Sequence, residues 1–256
     1  MLASIAAISA KLGSAARRFD IDLLSSCGST NAVLLSRAEN GAPSGTVIIT
    51  EEQTAGRGRR GRSWFSSPGD SLTFSLLWRF AQGTAPAGLS LAVGVAVSRA
   101  LSGVGTPALK WPNDILKDGR KLGGILVELV PGAPHAAVIG IGINLRLPAG
   151  MPEEVRAAST ALNANGAAPD ANELYAVLLA ELLSTLDTFA TTGFAAIRPE
   201  WMARHAFQDA RIRLTTDFGP PSEGICRGVD ADGALLLEID GRIERILSGE
   251  VSLRPA

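Results

Sequence analysis

Apolar and polar positions alternate along this chain in two different periods, and the change of period marks out the elements. Near the N-terminus Ile5, Ile8 and Leu12 share one helical face and predict a short helix packed on the surface. The stretch FDIDLLSSCGST (19–30) reads as a strand running into a polar turn. STNAVLLSRAENG (29–41) opens on cap residues and closes on Asn40-Gly41, the start and stop of a helix. SGTVIITEEQ (44–53) is a β-rich run. In SLTFSLLWRF (71–80), Leu72, Phe74, Leu76 and Trp78 alternate as in a strand. LSLAVGVAVSRAL (89–101) returns to helical spacing, with Leu89, Val93, Val97 and Leu101 widened by Ala92 and Ala96. Asp118-Gly119 between two apolar runs predicts a hairpin, and AAVIGIGINLRL (136–147) is a further strand, joined to its predecessor through PGAPH (131–135). Residues 148–168, rich in Pro, Gly, Ala and Asn, predict a loop. The longest helix is predicted over 170–193 with Leu174, Val177, Leu178 and Leu182 inward, and a shorter one around Trp201.

From residue 208 the helical period disappears. Asp232-Gly233, Asp240-Gly241 and Ser248-Gly249 punctuate short apolar runs, which predicts a small antiparallel β module, barrel-like, over 208–256. Hairpins mixed with helices upstream indicate α+β rather than a regular βαβ series, and a larger domain over 1–207. With 256 residues, 46% hydrophobic and 19% charged, the chain can bury one large core or a large domain and a small one. A net charge of −1 argues against a general nucleic-acid binder. Cys27 and Cys226 are too few and too far apart for a disulfide framework or a zinc site. No basic segment precedes the first apolar run, as a signal peptide requires, and no run is expected to reach the ~20 apolar residues of a membrane span.

Against that near-neutral background, QTAGRGRRGRSW (53–64) concentrates Arg57, Arg59, Arg60 and Arg62 among three glycines with no acidic residue between them. Three readings are open: a solvated charged loop, an arginine–glycine RNA-binding segment, and an anion clamp. For the clamp, glycine lets the backbone approach a phosphate, and arginine offers a planar fork of donors to phosphate or carboxylate. Such a loop is expected to be mobile when empty and to close on its ligand. Three further clusters carry polar chemistry. In KWPND (110–114), proline forces Trp111 to be extended and sets Asn113 and Asp114 at a strand end or bend; the alternative is a turn with Asx bonding. Lys121 followed by Leu122, Gly123 and Gly124 suggests a backbone that a ligand approaches closely; otherwise Lys121 is the solvent face of a hairpin. GIGIN (140–144) is a weak signal, since it opens no helix in a βαβ unit.

Taken in order, SSCGSTN, EEQTAGRGRRGRSW, KWPNDIL, RKLGGILVEL, IGIGIN and a β tail ending SGEVSLR resemble a biotin–protein ligase, also called biotin–[acetyl-CoA-carboxylase] ligase. The resemblance covers the chain from about residue 20 to 254. The arginine loop, with its preceding Gln and following Trp, separates it from the lipoate ligases and octanoyltransferases of related fold. The resemblance implies a catalytic domain like that of class II aminoacyl-tRNA synthetases, a mixed sheet with helices, plus a small SH3-like barrel. It implies that biotin and ATP form biotinyl-5′-AMP, and that the biotinyl group then passes to a lysine of a biotin carboxyl carrier domain of a carboxylase. Ser29, Thr30, Asn31 and Gln53 match biotin contacts; Arg57, Gly58 and Arg59 match the positions binding the biotin carboxylate and the phosphate. Arg62 and Trp64 match the nucleotide side, with Asn144 a nucleotide contact. Lys121 matches the lysine at the carboxylate and α-phosphate, and Gly124 and Leu126 the wall of the biotin slot. Asn113 and Asp114 match the pair near the phosphates and the incoming lysine, so Lys121, Arg59 and Asp114 are the expected catalytic residues. Mg²⁺ is implied with ATP, on phosphate oxygens and water, with no protein ligand assigned. Some members add an N-terminal winged helix-turn-helix; about 20 residues precede the first predicted catalytic strand here, so a ligase that binds neither DNA nor membrane is expected, cytoplasmic, monomeric or homodimeric.

Overall fold

The computed structural model describes residues 3–84, 86–103, 105–163, 169–216, 220–247 and 251–255. Its first strand, β1 (Asp20–Cys27), lies parallel to β2 (Thr46–Gln53), with α2 (Thr30–Glu39) between them in sequence. The remaining strands are β3 (Ser71–Arg79), β4 (Ala108–Lys110), β5 (Asp114–Lys117), β6 (Arg120–Val130) and β7 (Ala133–Asn144), paired antiparallel. The seven form one mixed sheet in the order β1-β2-β3-β7-β6-β5-β4.

Helices cover both faces. The larger core lies under α1 (Ile5–Leu12), α3 (Leu89–Ala100) and α5 (Ala171–Thr192), and takes in Phe74, Leu76, Val93, Val97, Ile139, Ile141 and Leu182. On the opposite face a smaller cluster of Leu34, Ala38, Ile48, Leu77 and Val138 sits under α2. The alternation of Leu72, Phe74, Leu76 and Trp78 does point to the larger core. Yet β3 is buried from Ser71 to Trp78, because α2 closes the other side as well. Two helical readings need correction: Val177 (38% exposed) and Ile5 (41%) face outward, while Ile8, Leu12, Leu174, Leu178 and Leu182 are buried. A third correction concerns α5. Its length and hydropathy match a membrane span by composition, but half of that window is buried and the helix packs on α1 and α3. Within the stretch expected to be a loop, α4 (Glu153–Ala157) forms a short helix.

After α6 (Arg198–Ala203), the chain makes an antiparallel five-stranded sheet from β8 (Arg211–Thr216), β9 (Ser222–Val229), β10 (Leu235–Ile239), β11 (Arg242–Ile246) and β12 (Val251–Pro255), ordered β11-β10-β9-β8-β12. The turn expected at Ser248-Gly249 lies outside the described residues. This sheet is bonded to the body: the buried Trp111 indole donates to Gly233 O at 3.0 Å, and Arg198 Nε donates to Val229 O at 2.6 Å. Beside that junction the His205 ring stacks on Trp201, centroids 4.5 Å apart.

Burial pushes the His205 imidazole down from 6.5 to about 4. The unfolded chain therefore takes up a proton near pH 6.5 that the folded chain refuses until about pH 4. Between those values protons favour the unfolded state, so stability falls as pH drops through the window, by on the order of 3 kcal/mol. Denaturant unfolding at pH 7, 5 and 4 should show this loss, and His205→Phe, which keeps the stacking without titrating, should remove most of it. Equal pH dependence in both proteins would assign the loss to other groups.

Candidate active site

Register decides where the site lies. Directly paired residues of antiparallel strands point to the same face, and on the α2 face Thr73, Gly142, Gly124 and Asp114 form one row across β3, β7, β6 and β5. The neighbouring row is Ser75, Gly140 and Leu126; the next is Leu77, Val138 and Glu128. Two consecutive rows are thus nearly devoid of bulk where α2 begins, and the sheet has a floor there instead of a core. A cavity of about 1020 Å³ stands on that floor.

The two glycines of GIGIN are what keep the floor low. A Cβ on Gly140 would sit 2.3 Å from Asn31 Oδ1, and one on Gly142 would sit 2.4 Å from the Trp64 ring. At one end of the cavity, Ser29, Thr30 and Asn31 are buried at the start of α2. The polar groups of Thr30 and Asn31 are locked: Thr30 N–H donates to Gln53 Oε1 at 2.7 Å, and Asn31 Nδ2 donates to Glu128 Oε2 at 2.8 Å and to Leu126 O at 3.2 Å. The Ser75 hydroxyl is bonded to both Thr30 Oγ1 (2.7 Å) and Asn31 Oδ1 (2.5 Å). This end can read the donors and acceptors of a small polar ring.

The arginine segment forms the opposite wall. It is drawn into a hairpin, not left open: Trp64 N–H donates to Gly56 O at 2.9 Å and Gly58 N–H to Arg62 O at 2.7 Å, and the tip turns through left-handed Arg60 and Gly61. The counter-charge absent from the local sequence comes from elsewhere in the fold. Arg57 Nη2 lies 3.4 Å from Glu128, and Arg59 Nη1 donates to Asn113 Oδ1 at 3.4 Å. Burial, with Arg60 and Arg62 adding to it, pulls the Arg59 guanidinium below its ordinary pKa, and Asp114 only partly opposes this. A half-buried cation in that state gains from a bound anion.

At the β5 end, Asp114 lies 2.6 Å from Lys121 Nζ and 3.8 Å from Lys110 Nζ. Lys121 therefore points into the cavity and is not simply the solvent face of a hairpin. Asn113 Nδ2 is held by Ile125 O at 2.8 Å. Asn144 donates to Thr160 O at 3.0 Å, which leaves its buried Oδ1, and the buried Trp64 Nε1, without partners among the described residues. All the residues singled out from sequence, namely Ser29, Thr30, Asn31, Gln53, Arg57, Gly58, Arg59, Arg62, Trp64, Asn113, Asp114, Lys121, Gly124, Leu126 and Asn144, line this one cavity. Among the described residues seven cationic side chains line it against two carboxylates, Asp114 and Glu154, which suits a polyanion. Thr73, Ser75 and Glu128 escaped the sequence reading, and Gly142 stood there only within the weak GIGIN signal. Their signal is a shared row in the sheet, which exists only once the strands are paired.

Gly142→Ala tests the seating of the hairpin. The added methyl should displace the Trp64 indole and speed trypsin cleavage after the hairpin arginines at least about threefold, with the far-UV spectrum unchanged. Cleavage at the wild-type rate would show that Trp64 does not hold the hairpin down.

Comparison with known proteins agrees with this geometry. Residues 24–144 match the Biotin/lipoate A/B protein ligase family, and residues 210–254 match the Biotin protein ligase C terminal domain. The chain is 42% identical to the bifunctional ligase/repressor BirA of Escherichia coli over 89% of its own length and 72% of that protein. It is 37% identical to a biotin–[acetyl-CoA-carboxylase] ligase of Mycobacterium tuberculosis, covering 90% of this chain and 88% of the relative. The structure of a biotin protein ligase from Aquifex aeolicus in complex with biotin and ATP superposes with a TM-score of 0.81 at 30% identity, covering 93% of this chain and 99% of that one. With its glycine-floored slot walled by an arginine hairpin and its C-terminal sheet, the chain belongs to the biotin protein ligase family.

Proposed function

We propose that the slot and the hairpin divide one reaction between them: the chain activates biotin with ATP as biotinyl-5′-AMP and transfers it to a lysine of a biotin carboxyl carrier domain. The observation that carries this reading is the joining, in one cavity, of a locked polar end for a small ring and a cationic wall for phosphates. The Aquifex relative of the same fold is known in complex with biotin and ATP.

Ser29, Thr30, Asn31 and Gln53 would hold the ureido ring, with Gly124 and Leu126 walling the slot. That lays the carboxylate toward Arg57, Gly58, Arg59 and Lys121. Bringing a carboxylate to the α-phosphate of ATP sets negative charges against each other. Arg59, Arg62 and Lys121 cancel that repulsion in a partly dewatered site. A carboxylate oxygen then bonds to the α-phosphorus, and pyrophosphate leaves. The mixed anhydride is open to water, which the hairpin excludes. Trp64, Asn113 and Asn144 face the nucleotide, and the free Asn144 Oδ1 offers it a buried acceptor. In the second step the acceptor lysine gives up its ammonium proton to water, the free amine attacks the acyl carbon, AMP leaves, and the amide nitrogen releases its extra proton. Asp114, between two lysines, is the carboxylate at the mouth that can orient the incoming ammonium. Mg²⁺ would enter with ATP, held by phosphate oxygens and water, with no protein ligand assigned. The reading further takes the catalytic domain as 1–207 and the β module as 208–256, in a cytoplasmic enzyme.

Pyrophosphate release from ATP, measured with biotin, lipoate and octanoate side by side and without nucleic acid, tests the function. Release with biotin alone is expected; release with lipoate or octanoate instead would place the chain on the other branch of the family. Lys121→Ala should depress biotin-dependent release by roughly 10²-fold. Its effect on stability should be small, because Lys110 stays beside Asp114. Undiminished release would remove Lys121 from the adenylation step. Arg59→Gly should release preformed biotinyl-5′-AMP faster by about one to two decades, the loss of one charge-assisted contact. Off-rates equal within about twofold would show that Arg59 does not retain the intermediate.

A further inference from the structure

Glu128 lies behind the cavity wall on β6, in the row of Leu77 and Val138, whose other members are apolar. Among the described residues the carboxylate in that row has two partners, and both meet it at one oxygen. Asn31 Nδ2 donates to Oε2 at 2.8 Å, and Arg57 Nη2 approaches the same atom at 3.4 Å.

The consequence for Asn31 follows from counting. Its amide has two N–H donors, taken by Glu128 and Leu126 O. Its oxygen has two lone pairs, and Ser75 takes one. What Asn31 has left for a ligand is a single acceptor. A half-turn about the terminal torsion of an amide, which is broad and roughly two-fold, would swap that acceptor for donors. Ser75 cannot forbid the swap, since a hydroxyl both donates and accepts and Thr30 Oγ1 lies 2.7 Å away as an alternative partner. A carboxylate and a backbone carbonyl only accept, so Glu128, at the shorter distance, together with Leu126 O fixes which way the amide points. The same oxygen fastens the root of the arginine hairpin through Arg57.

We propose that Glu128 is a positioning residue that ties the acceptor orientation of Asn31 to the seat of the arginine hairpin, so that ring recognition and lid closure share one anchor. This rests on the reading of Asn31 as a biotin contact. Two substitutions separate the two duties. Glu128→Gln keeps an acceptor for Asn31 but loses the charge that holds Arg57. Glu128→Ala loses both.

For Glu128→Ala, the KM for biotin should rise about tenfold with kcat for pyrophosphate release little changed, the pattern of lost uniform binding. Glu128→Gln should keep KM within about twofold of wild type, yet release biotinyl-5′-AMP a few-fold faster. Added salt should speed release from both proteins, but more steeply from wild type, whose Arg57–Glu128 pair is also screened. In an Asn31→Ala background, Glu128→Ala should add nothing to KM. Without any ligand, trypsin should cleave the hairpin of both variants faster than that of wild type. A KM unchanged in Glu128→Ala, or additive penalties in the double variant, would overturn the proposal, and a lowered melting temperature with normal KM and release would reduce Glu128 to a structural part. A wild-type protein that makes no pyrophosphate with biotin would instead overturn the functional reading, while the ligand-free cleavage comparison would still judge the anchor.

Discussion

The whole site depends on a place in the sheet where side chains are missing. At one end of this face of the sheet, Ile48 of β2, Leu77 of β3 and Val138 of β7 pack with Leu34 of α2 as in any core. Two rows further along, Gly142 and Gly124 stand beside Thr73, and Gly140 beside Ser75. The floor drops, and a ligand can lie where a core residue would otherwise be. The bareness is enforced sterically from above. Asn31 and Trp64 already occupy the space that a methyl group on Gly140 or Gly142 would need. An alanine would therefore not simply narrow the slot, because it would push away the groups that shape its two ends.

Electrostatics completes what the floor begins. Four arginines on a short hairpin repel one another, and among the described residues Glu128 at Arg57 and Asp114 near Arg59 offset part of this. Arg59 remains strained in its charge, as its lowered pKa shows. Such a site costs some stability while empty and regains it on binding an anion, a common exchange of stability for function. Across the cavity, Asp114 between Lys110 and Lys121 gives the one carboxylate on the floor rows a firm position without neutralising the wall.

The turn that carries Asn113 and Asp114 is held from outside the sheet. Trp111 reaches the C-terminal sheet at Gly233 O, Ser90 Oγ at the start of α3 donates to Pro112 O at 3.1 Å, and Leu109 exchanges backbone bonds with Arg204 and Ala206. Three elements distant in sequence thus fix a five-residue motif. A buried indole whose N–H has a partner is a stiff strut, because breaking the contact leaves an unpaired donor in an apolar setting.

Local chemistry was enough to fix much of this in advance. The strand and helix periods, the Asn40-Gly41 stop, the Asp118-Gly119 turn and the change of character near residue 208 are all short-range signals, and the residues that line the cavity announce themselves by type: arginine among glycines, Lys121 before Gly123-Gly124, Asn113-Asp114 after proline. Outward-facing Val177 and Ile5 show where periodicity stops, since a helical stripe does not say how wide a neighbour will cover it. Only the tertiary structure decided that the weak GIGIN signal is the floor, that Ser75 and Glu128 belong to the site, and that the arginine segment is a hairpin pinned by an acid about seventy residues away. The physical reason is that each of these depends on strand register and on contacts between segments remote in the chain, and neither leaves a trace in the spacing of residues along a single element.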